Sequence, residues 1–238
     1  MKIEKLREMG KLPVHIAFII DGNGRWAKKR GFERMIGHKF GFKNLQNTID
    51  YVAKSGIKYM SVYCFSTENW NRPKPEVDGL MNIFKTSFKE DVLKCQENNI
   101  KVVFSGDKTR LAPELQQVWE ETTDKTKDNT GLVLNLCFNY GGRQDIVQAV
   151  NKLIASGAKS VTMEDISNNL YTAGMPDPDL VIRTSGELRT SNFMPWQTTY
   201  AEWYFPKTLW PAFTRRDFEK ALNSYAKRDR RHGAIKGK

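Results

Sequence analysis

The chain has 238 residues, of which 39% are hydrophobic, and a formal net charge of +11 at neutral pH. This composition argues against a disordered protein and is sufficient for one large α/β domain or two small ones. The longest apolar runs have strand length, well short of the ~20 residues of a membrane-spanning helix. The charged start MKIEKLREMGKLP lacks the apolar core of a signal peptide.

Cysteine usage and the distribution of charge indicate the compartment and the kind of partner. Cys64, Cys95 and Cys137 are widely spaced and show no metal or disulfide pattern, which predicts free thiols in the cytoplasm. The last 24 residues carry nine Lys or Arg residues against three Asp or Glu. Such a tail is either a solvated terminus or a segment attracted to anionic lipid or phosphate.

Strand-like and helix-like segments alternate along the chain without a linker. Strands are predicted at 16–20, 57–65, 100–106, 131–138, 179–186 and 201–205. Helices are predicted from Arg25, over 38–55, over 76–98, from Pro113, over 142–155 and over 214–227, with a short segment at 165–171. This order predicts one α/β domain, residues 1–238, with a mostly parallel central sheet flanked by helices and flexible ends at about 1–12 and 230–238.

The first predicted strand runs directly into an unusual polar turn, in HIAFIIDGNGRWAKKRG. Gly22 and Gly24 permit a tight turn with exposed backbone N–H groups before a helix, an arrangement that suits an anion. Asp21 precedes this turn, where a bare carboxylate would repel a phosphate. A divalent cation bound between them would remove that conflict.

Similar polar stretches follow three other predicted strands, namely STENWNRPKPE, NYGGR and RTSGELRTSN. In an open parallel sheet, ligands bind beyond the carboxyl ends of the strands. The four stretches are therefore expected to bring six polar side chains to one site: Asp21, Arg25, Asn69, Arg143, Arg183 and Arg189.

Two other classes of protein have weaker support in the sequence. Residues 22–27 match the dinucleotide fingerprint G-x-G-x-x-A, but Asp21 would oppose a pyrophosphate and no acidic residue follows at the ribose position. A nucleic-acid-binding module is suggested by the net charge, yet the aromatic residues are not interleaved with a basic run. His15 and His232 are interpreted as ordinary residues, whereas His38 is a candidate phosphate contact.

Taken together, HIAFIIDGNGRWAKKRG…GHKFG, SVYCFSTENWNRP, NYGGR and DPDLVIRTSGELRTSNFMPWQTTYAEWYF resemble the cis-prenyltransferases, and most closely their bacterial undecaprenyl diphosphate synthase branch. The resemblance covers residues 13 to 233. The trans-prenyltransferases are all-helical and carry Asp-Asp-x-x-Asp motifs, and no Asp-Asp occurs here.

This resemblance implies a magnesium-dependent transferase that adds isopentenyl diphosphate repeatedly to an allylic diphosphate, commonly farnesyl diphosphate, with cis stereochemistry. The implied product is undecaprenyl diphosphate, the lipid carrier precursor for bacterial cell-wall polysaccharides, although the sequence leaves the product length and primer open. The implied protein is a cytoplasmic homodimer with peripheral membrane contact and no nucleic-acid partner. Some relatives act only as partner subunits, but this chain retains the motif residues.

The resemblance also assigns roles to individual residues. Asp21 and Glu202 are the implied magnesium ligands, and Asn69 occupies the position that the family assigns to proton removal. An amide is a poor base, so a relay through water or the diphosphate is an alternative.

The implied allylic site comprises Gly22, Asn23, Gly24, Arg25, Trp26, Arg34 and His38. The implied isopentenyl site comprises Arg183, Arg189, Thr190 and Ser191. The loop between these sites carries Ser66, Thr67, Glu68, Trp70 and Arg72. Two departures from the family pattern are Pro195 and His232.

A polyprenyl product requires an apolar tunnel, which we expect between the sheet and the helix at 76–98. One face of that helix carries Leu80, Met81, Phe84 and Phe88. Leu132, Leu134, Leu136 and Phe138 alternate along one face of the strand at 131–138. One of these leucines is predicted to form the tunnel floor, although ordinary core packing explains both patterns equally well.

Overall fold

The computed structural model describes residues 2–230, apart from the side chains of residues 88–90. The described residues form one six-stranded sheet in the order β3-β4-β2-β1-β5-β6, in which every pair of neighbouring strands is parallel. The strands are β1 (His15–Ile19), β2 (Tyr59–Ser66), β3 (Lys101–Ser105), β4 (Val133–Tyr140), β5 (Leu180–Arg183) and β6 (Glu202–Tyr204). The single-domain parallel α/β prediction is confirmed.

Eight α-helices flank this sheet within the described residues. They are α1 (Ile3–Glu8), α2 (Asn23–Lys28), α3 (Arg34–Ser55), α4 (Lys74–Glu97), α5 (Pro113–Thr126), α6 (Gly142–Ala155), α7 (Met163–Ser167) and α8 (Arg215–Tyr225). The predicted end of α3 is confirmed, because Gly56 takes the left-handed conformation (φ 88°) that stops a helix. None of these helices is both long and apolar enough to span a membrane.

At two places near the start of the chain the structure differs from the sequence-based expectation. The segment 1–12 was expected to be flexible, but α1 lies within it and buries Ile3 and Leu6 in the main core. Helix α3 begins at Arg34 rather than at residue 38. Its early turns pack closely on Asn23, since a Cβ on Gly37 or Gly41 would lie 2.1 Å from an oxygen of that residue. Arg231, His232 and Gly233 lie outside the described residues.

Burial on both faces explains why the strands are continuously apolar. Ile16 and Phe18 of β1 face the larger core cluster, whereas Ala17 and Ile19 face a second cluster across the sheet. Strands covered on both sides do not show polar alternation.

The strand order places β1 at the centre, between β2 and β5. Ile19 at the end of β1 is in register with Tyr63 of β2 and with Arg183 of β5. The loops that follow these three strands therefore meet at one edge of the sheet, where parallel α/β proteins bind their ligands.

Candidate functional site

A polar cavity of about 590 Å³ lies at the carboxyl edge of the sheet. Its walls come from the loops after β1, β2 and β5 and from helices α3 and α4. The lining residues are Ile19, Ile20, Asp21, Asn23, His38, Tyr63, Cys64, Ser66, Glu68, Asn69, Arg72, Leu80, Arg183, Arg189, Ser191 and Asn192. Three of the four polar stretches singled out in the sequence thus meet as predicted.

An ion pair between Asp21 and Arg183 lies in this cavity. Arg183 Nη2 donates to Asp21 Oδ2 at 3.0 Å, and Arg25 Nη2 lies 3.2 Å from Asp21 Oδ1. Partial burial alone would raise the pKa of Asp21, but the hydrogen bond from Arg183 and the charge of Arg25 lower it below its usual value. Asp21 is therefore an ionised carboxylate at neutral pH.

Arg183 also holds the loop that follows β5. Its Nη1 donates to the carbonyl of Arg189 at 2.6 Å and to Ser191 Oγ at 2.7 Å. Ser185, Ser191 and Asn192 in this loop have positive φ angles of 77°, 49° and 62°, a costly conformation that the surrounding contacts must maintain. The Nε of Arg183 is buried without a hydrogen-bond partner.

Glu187 joins the arginines of the two predicted substrate sites. Arg25 Nη1 donates to Glu187 Oε1 at 2.6 Å, and Arg189 Nη1 donates to Glu187 Oε2 at 2.5 Å. These two hydrogen bonds and the charges of both arginines lower the pKa of Glu187. Two guanidinium groups from distant parts of the chain thus share one partly exposed carboxylate.

A second carboxylate, Glu76 in the first turn of α4, binds three basic side chains. Arg34 donates to both of its oxygens at 3.0 and 3.1 Å, and Arg72 Nη1 and His38 Nε2 lie 3.1 and 3.3 Å from Oε1. Burial and the charge of Arg72 lower the pKa of His38. These three basic residues line a recess of about 120 Å³, together with Asp21 and residues 22–25.

The loop after β2 is organised by backbone capping. Asn69 Oδ1 accepts the backbone N–H of Ser66 at 3.1 Å, within a capping box. Glu68 accepts a 2.9 Å hydrogen bond from Asn192, which ties this loop to the loop after β5. The amide oxygen of Asn69 is thereby engaged, which disfavours it as the acceptor of a substrate proton.

Several predicted residues lie beside the cavities rather than in their walls. Trp70 Nε1 donates to Asn139 Oδ1 at 2.7 Å, and Trp26 packs on Phe40. The hydroxyl oxygen of Thr67 is buried without a partner. Thr190 is exposed, and the side chain of Arg143 does not line either cavity, although its backbone N–H donates to Asn192.

Asp21 and Glu202, the two carboxylates that the resemblance implies as magnesium ligands, lie at opposite ends of the strands within one chain. Glu202 is in register with Leu180 at the amino end of β5, whereas Asp21 follows the carboxyl end of β1. Leu180 is itself in register with Ile16, so Glu202 lies at the level of the start of β1, five residues before Asp21. The carboxylate of Glu202 binds Arg228 instead. Within residues 2–230, no group of three or more His, Cys, Asp or Glu side chains is arranged to hold a metal.

An apolar cavity of about 70 Å³ continues from the polar one. The two share Ile20, Asn23, His38, Cys64 and Leu80. The remaining lining residues are Gly41, Phe42, Leu45, Phe65, Ile83, Phe84 and Phe138. Leu132, Leu134 and Leu136 are instead buried in the main core, so none of them forms a wall of this cavity.

Sequence reasoning missed several residues of the site, among them Glu76, Glu187, Tyr63 and Asn192. Each lies inside or next to a motif that was recognised. Their partners, however, are up to 162 residues away in the chain, as for the hydrogen bond from Arg25 to Glu187. A carboxylate flanked by lysines and prolines in RPKPE gives no local signal of three basic partners.

Comparison with known proteins agrees with this geometry. The family model described as "Putative undecaprenyl diphosphate synthase" matches residues 19–233. An isoprenyl transferase of Fusobacterium nucleatum is 48% identical over 225 residues, covering 94% of this chain and 97% of that protein. An isoprenyl transferase of Thermotoga maritima is 45% identical over 229 residues, covering 94% of this chain and 98% of that protein.

Two solved structures share the fold along most of the chain. Lavandulyl diphosphate synthase from Lavandula x intermedia, in complex with dimethylallyl diphosphate, has a TM-score of 0.89 and 37% identity, covering 93% of this chain and 98% of its own. A probable undecaprenyl diphosphate synthase from Campylobacter jejuni has a TM-score of 0.79 and 31% identity, with the same coverage. The chain belongs to the undecaprenyl diphosphate synthase family of prenyltransferases.

Proposed function

We propose that this protein condenses isopentenyl diphosphate repeatedly onto farnesyl diphosphate, with cis stereochemistry, to give undecaprenyl diphosphate. In a bacterium this product would be the lipid carrier precursor for cell-wall polysaccharides. The observation that carries the proposal is that the polar cavity and the apolar cavity share lining residues and form one continuous space. Its polar part is lined by basic side chains that suit two diphosphates, and its apolar part suits the hydrocarbon attached to one of them.

The basic side chains fall into two groups, which we assign to two diphosphates. Arg183, Arg189 and Ser191 would bind isopentenyl diphosphate, because guanidinium groups match phosphate oxygens in pairs. The recess lined by residues 22–25, Arg34, His38 and Arg72 would bind the allylic diphosphate. The lavender enzyme that resembles this chain was solved with an allylic diphosphate, which supports this assignment.

The residues at the cavity fit a magnesium ion held mainly by substrate. Magnesium in diphosphate sites is commonly bound by one or two carboxylates together with phosphate oxygens. Asp21 is ionised, lines both the polar cavity and the recess, and provides the oxygen ligand. Bound there, the cation would neutralise charge on the departing diphosphate.

The protein's own groups would do two things in the reaction. The arginines hold both diphosphates so that the allylic carbon faces the isopentenyl double bond. They stabilise the charge that develops as the allylic carbon–oxygen bond breaks and the new carbon–carbon bond forms. The proton lost from the isopentenyl unit passes to an oxygen of a diphosphate, since an amide is a poor base and the oxygen of Asn69 already accepts the backbone N–H of Ser66.

We further propose that the growing chain extends through the apolar cavity, between the sheet and helices α3 and α4. Ile83 and Phe84 of α4 and Phe138 of β4 lie along this route. The side chain of Phe88, also expected on this face, lies outside the described residues. By family resemblance the enzyme would act as a cytoplasmic homodimer.

One incubation tests the proposal: purified protein with farnesyl diphosphate, radiolabelled isopentenyl diphosphate and magnesium, followed by chromatography of the dephosphorylated products. We expect a C55 product with cis units and no incorporation in the presence of EDTA. Absence of incorporation under any metal condition would refute the reaction. A product of another length would correct only the chain length.

A further inference from the structure

An exposed aromatic cluster lies on the outer side of α2 and of the first turns of α3. Phe32 and Phe40 are 49% and 48% exposed, and both rings pack against Trp26 with centroid separations of 6.4 and 4.9 Å. The guanidinium of Arg30 lies 4.1 Å from the Trp26 ring centroid. Two half-exposed phenylalanines on one buried indole form an apolar projection that the polar cavity does not use.

Basic residues neighbour these three aromatic residues along the chain. Lys28, Lys29, Lys39 and Lys43 are exposed, and none of the four pairs with a carboxylate in the described part of the chain. Residues 22–43 contain seven lysines and arginines but a single acidic residue, Glu33. We name Trp26, Phe32 and Phe40, together with Lys28, Lys29, Arg30, Lys39 and Lys43, the basic aromatic surface.

We propose that the basic aromatic surface docks the enzyme on an anionic lipid bilayer. Phenylalanine rings gain free energy when they enter the boundary between head groups and acyl chains, and adjacent lysines are attracted to anionic head groups. Long lysine side chains can keep their ammonium groups at the head-group level while the rings lie deeper.

The same helices form the walls of the cavities. Asn23 in α2 lines both cavities, and Gly41 and Phe42 of α3 line the apolar one, next to Phe40. Docking through this surface would place the apolar cavity close to the bilayer, where an apolar product could leave the protein without crossing water. This use of the surface rests on the proposed function, whereas lipid binding itself does not.

The geometry favours a bilayer over a nucleic acid. The ring plane of Trp26 is inclined by 36° to that of Phe40 and by 41° to that of Phe32. The three rings therefore offer no common face on which successive bases could stack, as single-strand-binding surfaces do.

Co-sedimentation with vesicles, in the absence of substrates, tests the proposal. We expect the full-length protein to bind vesicles of phosphatidylglycerol mixed with phosphatidylcholine, and to bind pure phosphatidylcholine at least tenfold more weakly. Replacing Lys28 and Lys29 by Gln should weaken binding roughly twentyfold at low salt. The double variant F32S/F40S should weaken it about tenfold or more.

Matched control variants carry equivalent substitutions at exposed positions outside the basic aromatic surface. L93S and M163S remove exposed apolar side chains, and K159Q with K207Q removes two exposed charges; these variants should bind vesicles like the wild type. Circular dichroism should show that each variant is folded, and the single variant F32S serves if the double variant is not. Turnover without lipid should be unchanged in the Phe32, Phe40, Lys28 and Lys29 variants.

Equal vesicle binding by the wild type and the variants of the basic aromatic surface would overturn the proposal. Failure of the wild type to bind vesicles would also overturn it. Binding of a single-stranded oligonucleotide in place of vesicles would identify a nucleic-acid surface instead. If the protein does not bind vesicles but F32S/F40S sediments at a different velocity from the wild type, the basic aromatic surface is an interface between two copies of the chain. Because no substrate is present, a negative result leaves the proposed reaction standing.

Discussion

Arg183 donates a 3.0 Å hydrogen bond to Asp21, so the candidate metal ligand and a candidate substrate-binding group form one ion pair in the free protein. Asp21 begins the loop after β1 and Arg183 ends β5, 162 residues later in the chain. A diphosphate that binds Arg183 through Nη2 would compete with this carboxylate for the guanidinium.

Asp21→Ala is expected to lower kcat by about a hundredfold or more, because it removes the carboxylate used to hold charge at the departing diphosphate. Binding of isopentenyl diphosphate should change much less, since Arg189 and Ser191 remain. Steady-state kinetics with both substrates will check this. Asp124→Ala removes a surface carboxylate that pairs with Lys127 and should leave kcat unchanged. Near-normal turnover of the Asp21 variant with magnesium would contradict the assigned role.

Arg189→Ala should raise the KM for isopentenyl diphosphate about ten- to a hundredfold, since a charged hydrogen bond contributes roughly 1.5–3 kcal/mol. Its side chain is exposed, so stability should not change.

Arg183→Ala should raise the same KM and also lower the free energy of unfolding by about 1.5–3 kcal/mol, because Arg183 holds Asp21 and Ser191 from a buried position. Calorimetric titration and urea unfolding separate the two effects. Unchanged affinity in both variants would refute the site.

Glu76→Gln should raise the KM for farnesyl diphosphate about tenfold and leave the KM for isopentenyl diphosphate unchanged. The carboxylate orients Arg34, His38 and Arg72 at the recess without lining it, and the amide cannot accept from all three. Glu76→Asp should restore part of the affinity. The control is Asp78→Asn on the same helix, whose carboxylate binds only exposed Lys74. An equal rise of both KM values would indicate general damage rather than positioning.

Phe84→Ala is expected to shift products longer by about one isoprene unit, because Phe84 stacks on Phe138 at 4.0 Å and both line the apolar cavity. Leu136→Ala should instead cost ~2–5 kcal/mol of stability and leave the product length alone, since Leu136 is fully buried in the main core. Chromatography of the dephosphorylated products measures both. Longer products from the Leu136 variant would restore the original tunnel-floor assignment.

Protein stability should fall as the pH decreases from about 6.5 toward 4. Burial lowers the pKa of His15 to about 4, and its ring lies between the carbonyl of Pro176 and the hydroxyl of Ser61. The unfolded chain binds the proton first, so the stabilisation is complete above the unfolded pKa and is lost on acidification, by about 3 kcal/mol. His15→Gln should flatten this slope between pH 6.5 and 5 in urea unfolding. His38, whose pKa is also lowered, would keep some slope. An unchanged slope would contradict the neutral, buried His15.

The secondary structure could be predicted from local sequence patterns. The periodicity of apolar residues and the backbone effects of glycine and proline each depend on a few neighbouring residues. The end of α3 at Gly56 and the start of α5 at Pro113 follow from such signals. Helix α1 was missed because its only core contacts are Ile3 and Leu6, too few for a periodic pattern in a charged segment.

The sequence by itself determined the fold class, the family and the loops that carry Asp21, Arg183 and Arg189, because these depend on short contiguous motifs. Only the tertiary structure decided which charges pair. Glu76 gathers Arg34, His38 and Arg72, and Glu187 joins Arg25 to Arg189. Glu202 lies at the opposite end of the sheet from Asp21, and Phe138, not a leucine before it, faces the apolar cavity. These outcomes depend on strand register and on the closeness of α2, α3 and α4, which are set by packing between residues far apart in the chain.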